Sequence, residues 1–199
     1  VKALRSAISL DPDRADLRYN LANVYKLAGD IDGAAAGYRK AIELDPRFLP
    51  AYNNLGNLLA GQRLHSDARE IFQSGLYYDP NHPGLHYNVG LTQMREGNLE
   101  AAEGSFARAL RSRPGWVDAL NNHGVVLERL GRLDEAIRSY REILRIQPEN
   151  AIAHNNAATV QAKRGEYDEA VDHLREAVRL EPQYEHAANN LVRLLTVHA

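Results

Sequence analysis

Six of the eight prolines, Pro12, Pro46, Pro80, Pro114, Pro148 and Pro182, lie 34 residues apart. Asn20, Asn54, Asn88, Asn122, Asn156 and Asn190 keep the same interval, and so do Ala34, Ala68, Ala102, Ala136 and Ala170. Three residue types locked to one interval along 199 residues require a supersecondary unit repeated in a row, each copy burying its apolar face on its neighbours.

Each unit reads as two helices. In residues 49–61, Leu55, Leu58 and Leu59 make an apolar stripe at helical spacing. In residues 66–78, Ala68, Ile71, Phe72 and Gly75 make another. Proline then ends the second helix, because it disfavours helix at the residue before it and cannot continue the bond ladder. Gly29, Gly97, Gly131 and Gly165 follow the first helices, where a left-handed C-cap suits glycine. Gly56, Gly90 and Gly124 sit mid-helix, where glycine costs about 1 kcal/mol against alanine, so a neighbouring helix is expected to come close. The alanine series is expected to face them, with Tyr38, Phe72, Phe106 and Tyr140 filling the remaining space. No stretch shows strand alternation bounded by hairpin turns, so the fold class is an all-α solenoid. Five complete hairpins are expected over 15–48, 49–82, 83–116, 117–150 and 151–184. A second helix without its first is expected at 1–14, and a first helix without its second at 185–199.

The pattern resembles the tetratricopeptide repeat (TPR). Leu55, Gly56, Ala68, Phe72 and Pro80 match the W-x2-L-G-x2-Y…A-x3-F…P signature in one unit, and Leu21, Tyr25, Ala34, Tyr38, Ala41 and Pro46 in another. The tryptophan slot departs from it, holding Arg18, Tyr52, His86, Leu120 and His154. Leu174 replaces the aromatic of the last full unit, and Ile143 a small residue. The resemblance implies a TPR helical-hairpin solenoid wound as a right-handed superhelix, with first helices on the concave side. Leu191, Val192, Leu194, Leu195 and Val197 make an apolar rather than a polar end, and the chain begins at Val1. Both point to an excised piece of a longer protein.

The asparagine series places the candidate site on the first helices. It is doubled at Asn53–Asn54, Asn121–Asn122, Asn155–Asn156 and Asn189–Asn190, and Asn23 and Asn57 lie three residues further on the same face. An amide side chain offers the donor and acceptor that match a peptide backbone. Packed helices lie about 8–10 Å apart and an extended chain rises about 3.3 Å per residue, so one asparagine per unit meets roughly every third peptide group. The expected peptide-binding residues are Asn20, Asn23, Asn53, Asn54, Asn57, Asn88, Asn121, Asn122, Asn155, Asn156 and Asn190. The alternative is that these amides bond between adjacent helices and never meet a ligand. The stretch Ala51-Tyr52-Asn53-Asn54-Leu55-Gly56-Asn57, with Phe48, Trp116 and Tyr184 two residues past repeat prolines, resembles the asparagine-ladder superhelix of O-linked N-acetylglucosamine transferases. Asn23 and Asn54 fit the chaperone-binding carboxylate clamp, but Tyr19, Gly84 and Asn88 occupy the slots where that clamp implies basic residues.

Other chemistry is poorly represented. Net charge is −2, so no global field draws in nucleic acid or an anionic membrane. The arginines at 108, 111 and 113 read as solvated faces, and no apolar run reaches the roughly 18 residues of a membrane span. The absence of cysteine removes disulfides, thiolate catalysis and cysteine-bound zinc. No phosphate loop, GxSxG or HExxH occurs, and no catalytic residue, metal or cofactor is expected. His82 and His86 share the spacing of a metal pair, but Pro83 and Gly84 between them favour a packing role. His123 falls in a leucine slot and is expected to be semi-buried and hydrogen-bonded, and Trp116 to staple a turn to the next helix. The expected function is a protein-interaction scaffold holding a protein or peptide partner in the concave groove. Two alternatives are a substrate-presenting arm of a larger enzyme such as a glycosyltransferase, and a module that self-associates through its exposed terminal helices.

Overall fold

In the computed structural model, which describes residues 2–197, the chain forms twelve α-helices, and no strand occurs among the described residues. The first helices are α2 (Ala15–Leu27), α4 (Leu49–Gly61), α6 (Pro83–Arg95), α8 (Val117–Arg129), α10 (Ala151–Arg164) and α12 (Glu185–Val197). The second helices are α1 (Lys2–Leu10), α3 (Ile31–Leu44), α5 (His65–Tyr78), α7 (Leu99–Ser112), α9 (Leu133–Ile146) and α11 (Tyr167–Leu180). Positions 1 and 198–199, the outermost of the expected terminal segments, lie outside the described residues. The chain divides into two compact units, one up to Gly97 and one from Asn98 onward. The first contains the pairs α2–α3 and α4–α5 followed by α6, and the second contains α8–α9 and α10–α11 followed by α12.

The turns explain the period. Gly29, Gly97, Gly131 and Gly165 hold φ between 77° and 83°, as the C-cap reading required. The residue after three of these glycines closes a six-residue loop: Asp30 N–H donates to Tyr25 O, Arg132 to Leu127 and Glu166 to Gln161, each at 2.9 Å. In the second complete hairpin the same slot is filled by Arg63, at φ 65°, and Leu64 N–H closes the loop on Leu59 O at 3.0 Å. Arg63 thus takes a backbone conformation that costs an L-residue about 1–2 kcal/mol.

The mid-helix glycines meet something other than the alanine series. A Cβ at Gly56 would overlap the Phe72 ring, and one at Gly124 would stand 2.7 Å from the Tyr140 ring. The aromatic of the second helix therefore packs against the bare backbone of the first, with Ala68 buried in the same cluster as Phe72 and Ala136 in that of Tyr140. The first hairpin solves the same problem differently. Ala22 replaces the glycine on α2, and Gly37 on α3 supplies the clearance: a Cβ there would lie 2.8 Å from the Ala22 Cβ. The last hairpin uses a third solution, with Ala158 against the smaller Leu174 in one cluster.

Candidate functional site

The helix packing brings first helices side by side within each unit: α4 against α6 in the first, α10 against both α8 and α12 in the second. The paired asparagines meet across these contacts. Asn88 Nδ2 donates to Asn53 Oδ1 at 2.7 Å, Asn156 Nδ2 to Asn121 Oδ1 at 2.9 Å, and Asn190 Nδ2 to Asn155 Oδ1 at 3.0 Å. In each case the second amide of one repeat donates to the first amide of the repeat before it. Between α2 and α4, Tyr19 holds the first place, and Asn54 Nδ2 donates to both Tyr19 Oη and Asn23 Oδ1 at 3.0 Å. Tyr38 Oη also donates to Asn23 Oδ1, at 2.7 Å. These bonds follow the alternative pattern for the asparagine series, in which amides bond between adjacent helices. The signal was the doubling itself, since a bridge of this kind needs two amides per repeat.

Bracing does not exhaust these side chains. Asn20 and Asn57 are exposed and make no hydrogen bond among the described residues. Asn53 and Asn121 accept through Oδ1, which leaves their NH2 groups without an acceptor there. Asn54 uses both amide hydrogens and keeps Oδ1. Asn122 is half-buried on α8. Asn88 and Asn155 are the most enclosed members, and Asn155 Nδ2 also reaches its neighbour Asn156 at 3.3 Å. The clamp positions hold no cation: Asn23 and Asn54 are bonded to each other, with Tyr19 beside them.

The tryptophan slot has a recurring use that the sequence did not reveal. Arg18 Nη2 donates to Pro12 O at 3.4 Å and Tyr52 Oη to Pro46 O at 3.0 Å. His86 Nε2 lies 2.8 Å from Pro80 O and His154 Nε2 3.0 Å from Pro148 O, which assigns both rings the Nε2–H tautomer. Four side chains of three kinds thus satisfy the carbonyl of the repeat proline six residues upstream. The clue in the sequence was a polar or donor-bearing residue in an apolar slot; only Leu120 lacks one.

His82, His86, His123, His154 and His173 are tied into the fold. His82 Nδ1 accepts from the Leu85 N–H at the start of α6, and His86 is committed to Pro80, so this pair does not converge on a metal. His154 Nδ1 and His173 Nδ1 lie 2.8 Å apart. With His154 donating through Nε2, its Nδ1 accepts and His173 donates. Burial lowers the His173 pKa, helped by His154 and Arg141. No group of three metal-ligating side chains occurs among the described residues. His123 is semi-buried and bonded, as expected: Nε2 lies 3.5 Å from Glu103 Oε1 and Nδ1 3.3 Å from Ser139 Oγ. Burial holds its pKa below the ordinary value, against the opposing pull of Glu103. Ser, His and Glu in a row invite comparison with a hydrolytic triad. Ser139 is buried in the middle of α9, where neighbouring amides belong to the helix ladder and cannot stabilise an oxyanion. Trp116 caps the start of α8, with Nε1 3.3 Å from Asp118 Oδ2 and the Arg113 guanidinium 5.0 Å over its ring. Among the described residues no helix is long and apolar enough to cross a membrane.

Helical hairpins at a fixed period, joined through their first helices, define a helical repeat protein. Family models described as tetratricopeptide repeat match residues 53–119 and 117–183, and one described as TPR repeat matches residues 23–62. The chain belongs to the tetratricopeptide repeat family. It is 32% identical over 116 residues to human tetratricopeptide repeat protein 13, covering 58% of this chain and 13% of that protein. It is 33% identical over 85 residues to the Hsp70-Hsp90 organizing protein of Triticum aestivum, covering 43% of this chain and 15% of that one. The chain thus spans only a minor part of these curated relatives. Among solved structures, YrrB, described as a TPR protein with an unusual peptide-binding site, superposes with a TM-score of 0.80 at 25% identity, covering 94% of this chain and 97% of that one. The type IV pilus assembly protein PilF of Pseudomonas aeruginosa also gives 0.80, at 22% identity over 96% of this chain and 86% of the other, a likeness of fold alone.

Proposed function

We propose that this chain is a protein-interaction scaffold that holds an extended peptide segment along its first helices and has no catalytic activity of its own. The observation that carries the reading is the surplus of amide groups left after bracing, above all Asn20 and Asn57, which are exposed and unbonded among the described residues. Braced amides are held in fixed geometry, so their remaining donors and acceptors lose little freedom on meeting a backbone. The asparagines at 54, 88, 156 and 190 then serve both as bridge and as part of the binding face, and Asn122 belongs to the same face. Similarity to YrrB supports peptide binding, and similarity to the Hsp70-Hsp90 organizing protein supports partner binding. The five hairpins from residue 15 to residue 184 are part of the same proposal.

A selection from a displayed library of random dodecapeptides, followed by calorimetric titration of the best binder, tests this. Asn20→Ala with Asn57→Ala should weaken binding by about 1–3 kcal/mol in total while the melting temperature holds. A library that yields no binder, or a binder indifferent to both substitutions and to Asn54→Ala, would remove the proposal.

One relative favours a second reading. The chain is 32% identical over 111 residues to the human protein O-mannosyl-transferase TMTC3, of which it spans 12%. That is what a repeat arm attached to a transferase would show. A catalytic domain in the full-length protein is the discriminating observation.

A further inference from the structure

The packing of the second unit changes at one place. Where Gly124 receives the Tyr140 ring, the next hairpin pairs Ala158 with Leu174. An aromatic at position 174 would meet the Ala158 Cβ, and the shorter Leu174 leaves the space between α10, α11 and α12 partly unfilled. A pocket of about 280 Å³ opens there, with Ala158, Ala162, Leu174 and Leu194 among its walls. Thr159, Lys163, Tyr167, Asn190 and Arg193 supply its polar groups. Lys163 is paired with Glu128 across the first helices at 2.8 Å. Arg193 is exposed and makes no ion pair among the described residues. Asn190 is the amide that donates to Asn155, so the pocket lies directly beside the amide row of α10 and α12.

We propose that this pocket takes one large hydrophobic side chain, leucine or phenylalanine, of an extended peptide whose adjacent residue is acidic. The inference rests on the scaffold reading and names the class of segment it would accept. Apolar walls reward burial of an aliphatic or aromatic group. The unpaired Arg193 guanidinium presents a planar fork suited to a carboxylate and disfavours a basic residue at the same place. A backbone running past the half-buried Asn190, which itself lines the pocket, is within side-chain reach of it.

The test uses fluorescence polarisation with amidated, fluorescein-labelled Ser-Gly octapeptides whose central pair is Leu-Asp, Ala-Asp, Leu-Lys or Ala-Lys. Leu-Asp should bind about tenfold tighter than Ala-Asp and several-fold tighter than Leu-Lys. The double variant Ala158→Gly/Leu174→Phe restores the glycine-on-ring packing of the preceding hairpin and closes the pocket, so it should melt no lower than the parent and lose the Leu-over-Ala preference. Ala162→Phe, which blocks the pocket from its wall, should do the same if the double variant is unstable. Arg193→Glu should invert the Asp-over-Lys preference. Equal binding of all four probes would overturn the pocket inference and leave the scaffold reading standing. Binding of none overturns it too, and the library selection then decides the scaffold reading separately. A wild-type dimer by sedimentation that the double variant abolishes would mean that a second copy fills the pocket, and would equally contradict the proposal.

Discussion

The two units share one period but tie their first helices together with different chemistry. In the first, α4 carries no charged side chain, and Arg95 is the only permanent charge on α6. The ties there are amides and phenols: Asn88 to Asn53, Asn54 to Tyr19 and Asn23, Tyr38 to Asn23. In the second, the amide bridges recur, but an ion pair from Lys163 to Glu128 joins α10 to α8 as well, and His123 and Glu103 meet beside α9. The period therefore dictates where helices start, stop and touch, and leaves the chemistry of the touching side chains open. An amide bridge is insensitive to pH and salt, whereas an exposed ion pair or a buried histidine is not.

The largest test of this comparison lies in the packing. Gly56→Leu should cost about 3 kcal/mol in denaturant unfolding, because its side chain must displace the Phe72 ring. Gly61→Leu, on the same helix with open space around it, should cost almost nothing. Similar losses at both sites would mean that the ring does not lie on Gly56.

The tyrosines sharpen the contrast between units. Tyr38 donates to Asn23, but the Tyr140 hydroxyl is buried without a hydrogen-bond partner among the described residues, and burial pushes its pKa up. Tyr38→Phe should destabilise by about 1 kcal/mol, and Tyr140→Phe should be neutral or stabilise by up to about 1 kcal/mol. Equal and opposite slots would become equivalent if both substitutions moved the unfolding midpoint in the same direction.

Arg63 gives a smaller effect. Arg63→Gly should stabilise by about 0.5–1 kcal/mol by relieving the left-handed strain, while Gly131→Arg in the second unit should lose a similar amount. Paired thermal melts read both signs.

The pH response is the most graded. His123 and His173, both in the second unit, have pKa values held below 6.5 by burial. The unfolded chain then binds protons first, so their contribution is full above about pH 6.5, falls as pH drops through that value, and is gone below their folded pKa. Stability should decline on acidification toward pH 5, and His123→Leu should flatten the curve. A profile unchanged by that substitution would place the acid sensitivity elsewhere.

Much of the fold was legible because it is fixed by covalent geometry. Proline cannot continue a helix and glycine alone enters φ > 0 without strain, so the helix over 49–61 and the left-handed turns at Gly29, Gly97, Gly131 and Gly165 could be placed from them. Arg63 escaped notice because its side chain gives no sign of φ > 0; only its place in the period does. The glycine-on-ring contacts were half legible: close approach could be inferred, but which side chain arrives depends on packing between helices. The amide site was legible as a face and not as a network. Spacing places Asn53 and Asn88 on first helices, but whether Asn88 turns toward Asn53 or outward depends on the offset between α4 and α6, which no single helix encodes.

Paired amides join neighbouring first helices within each unit. A double-mutant cycle between Asn121 and Asn156, measured by denaturant unfolding with each residue replaced by alanine singly and together, tests it most directly. The bond at 2.9 Å predicts a coupling energy of about 1 kcal/mol, with the double variant less destabilised than the sum of the singles. Additive losses, with coupling indistinguishable from zero, would contradict it and return these asparagines to solvent.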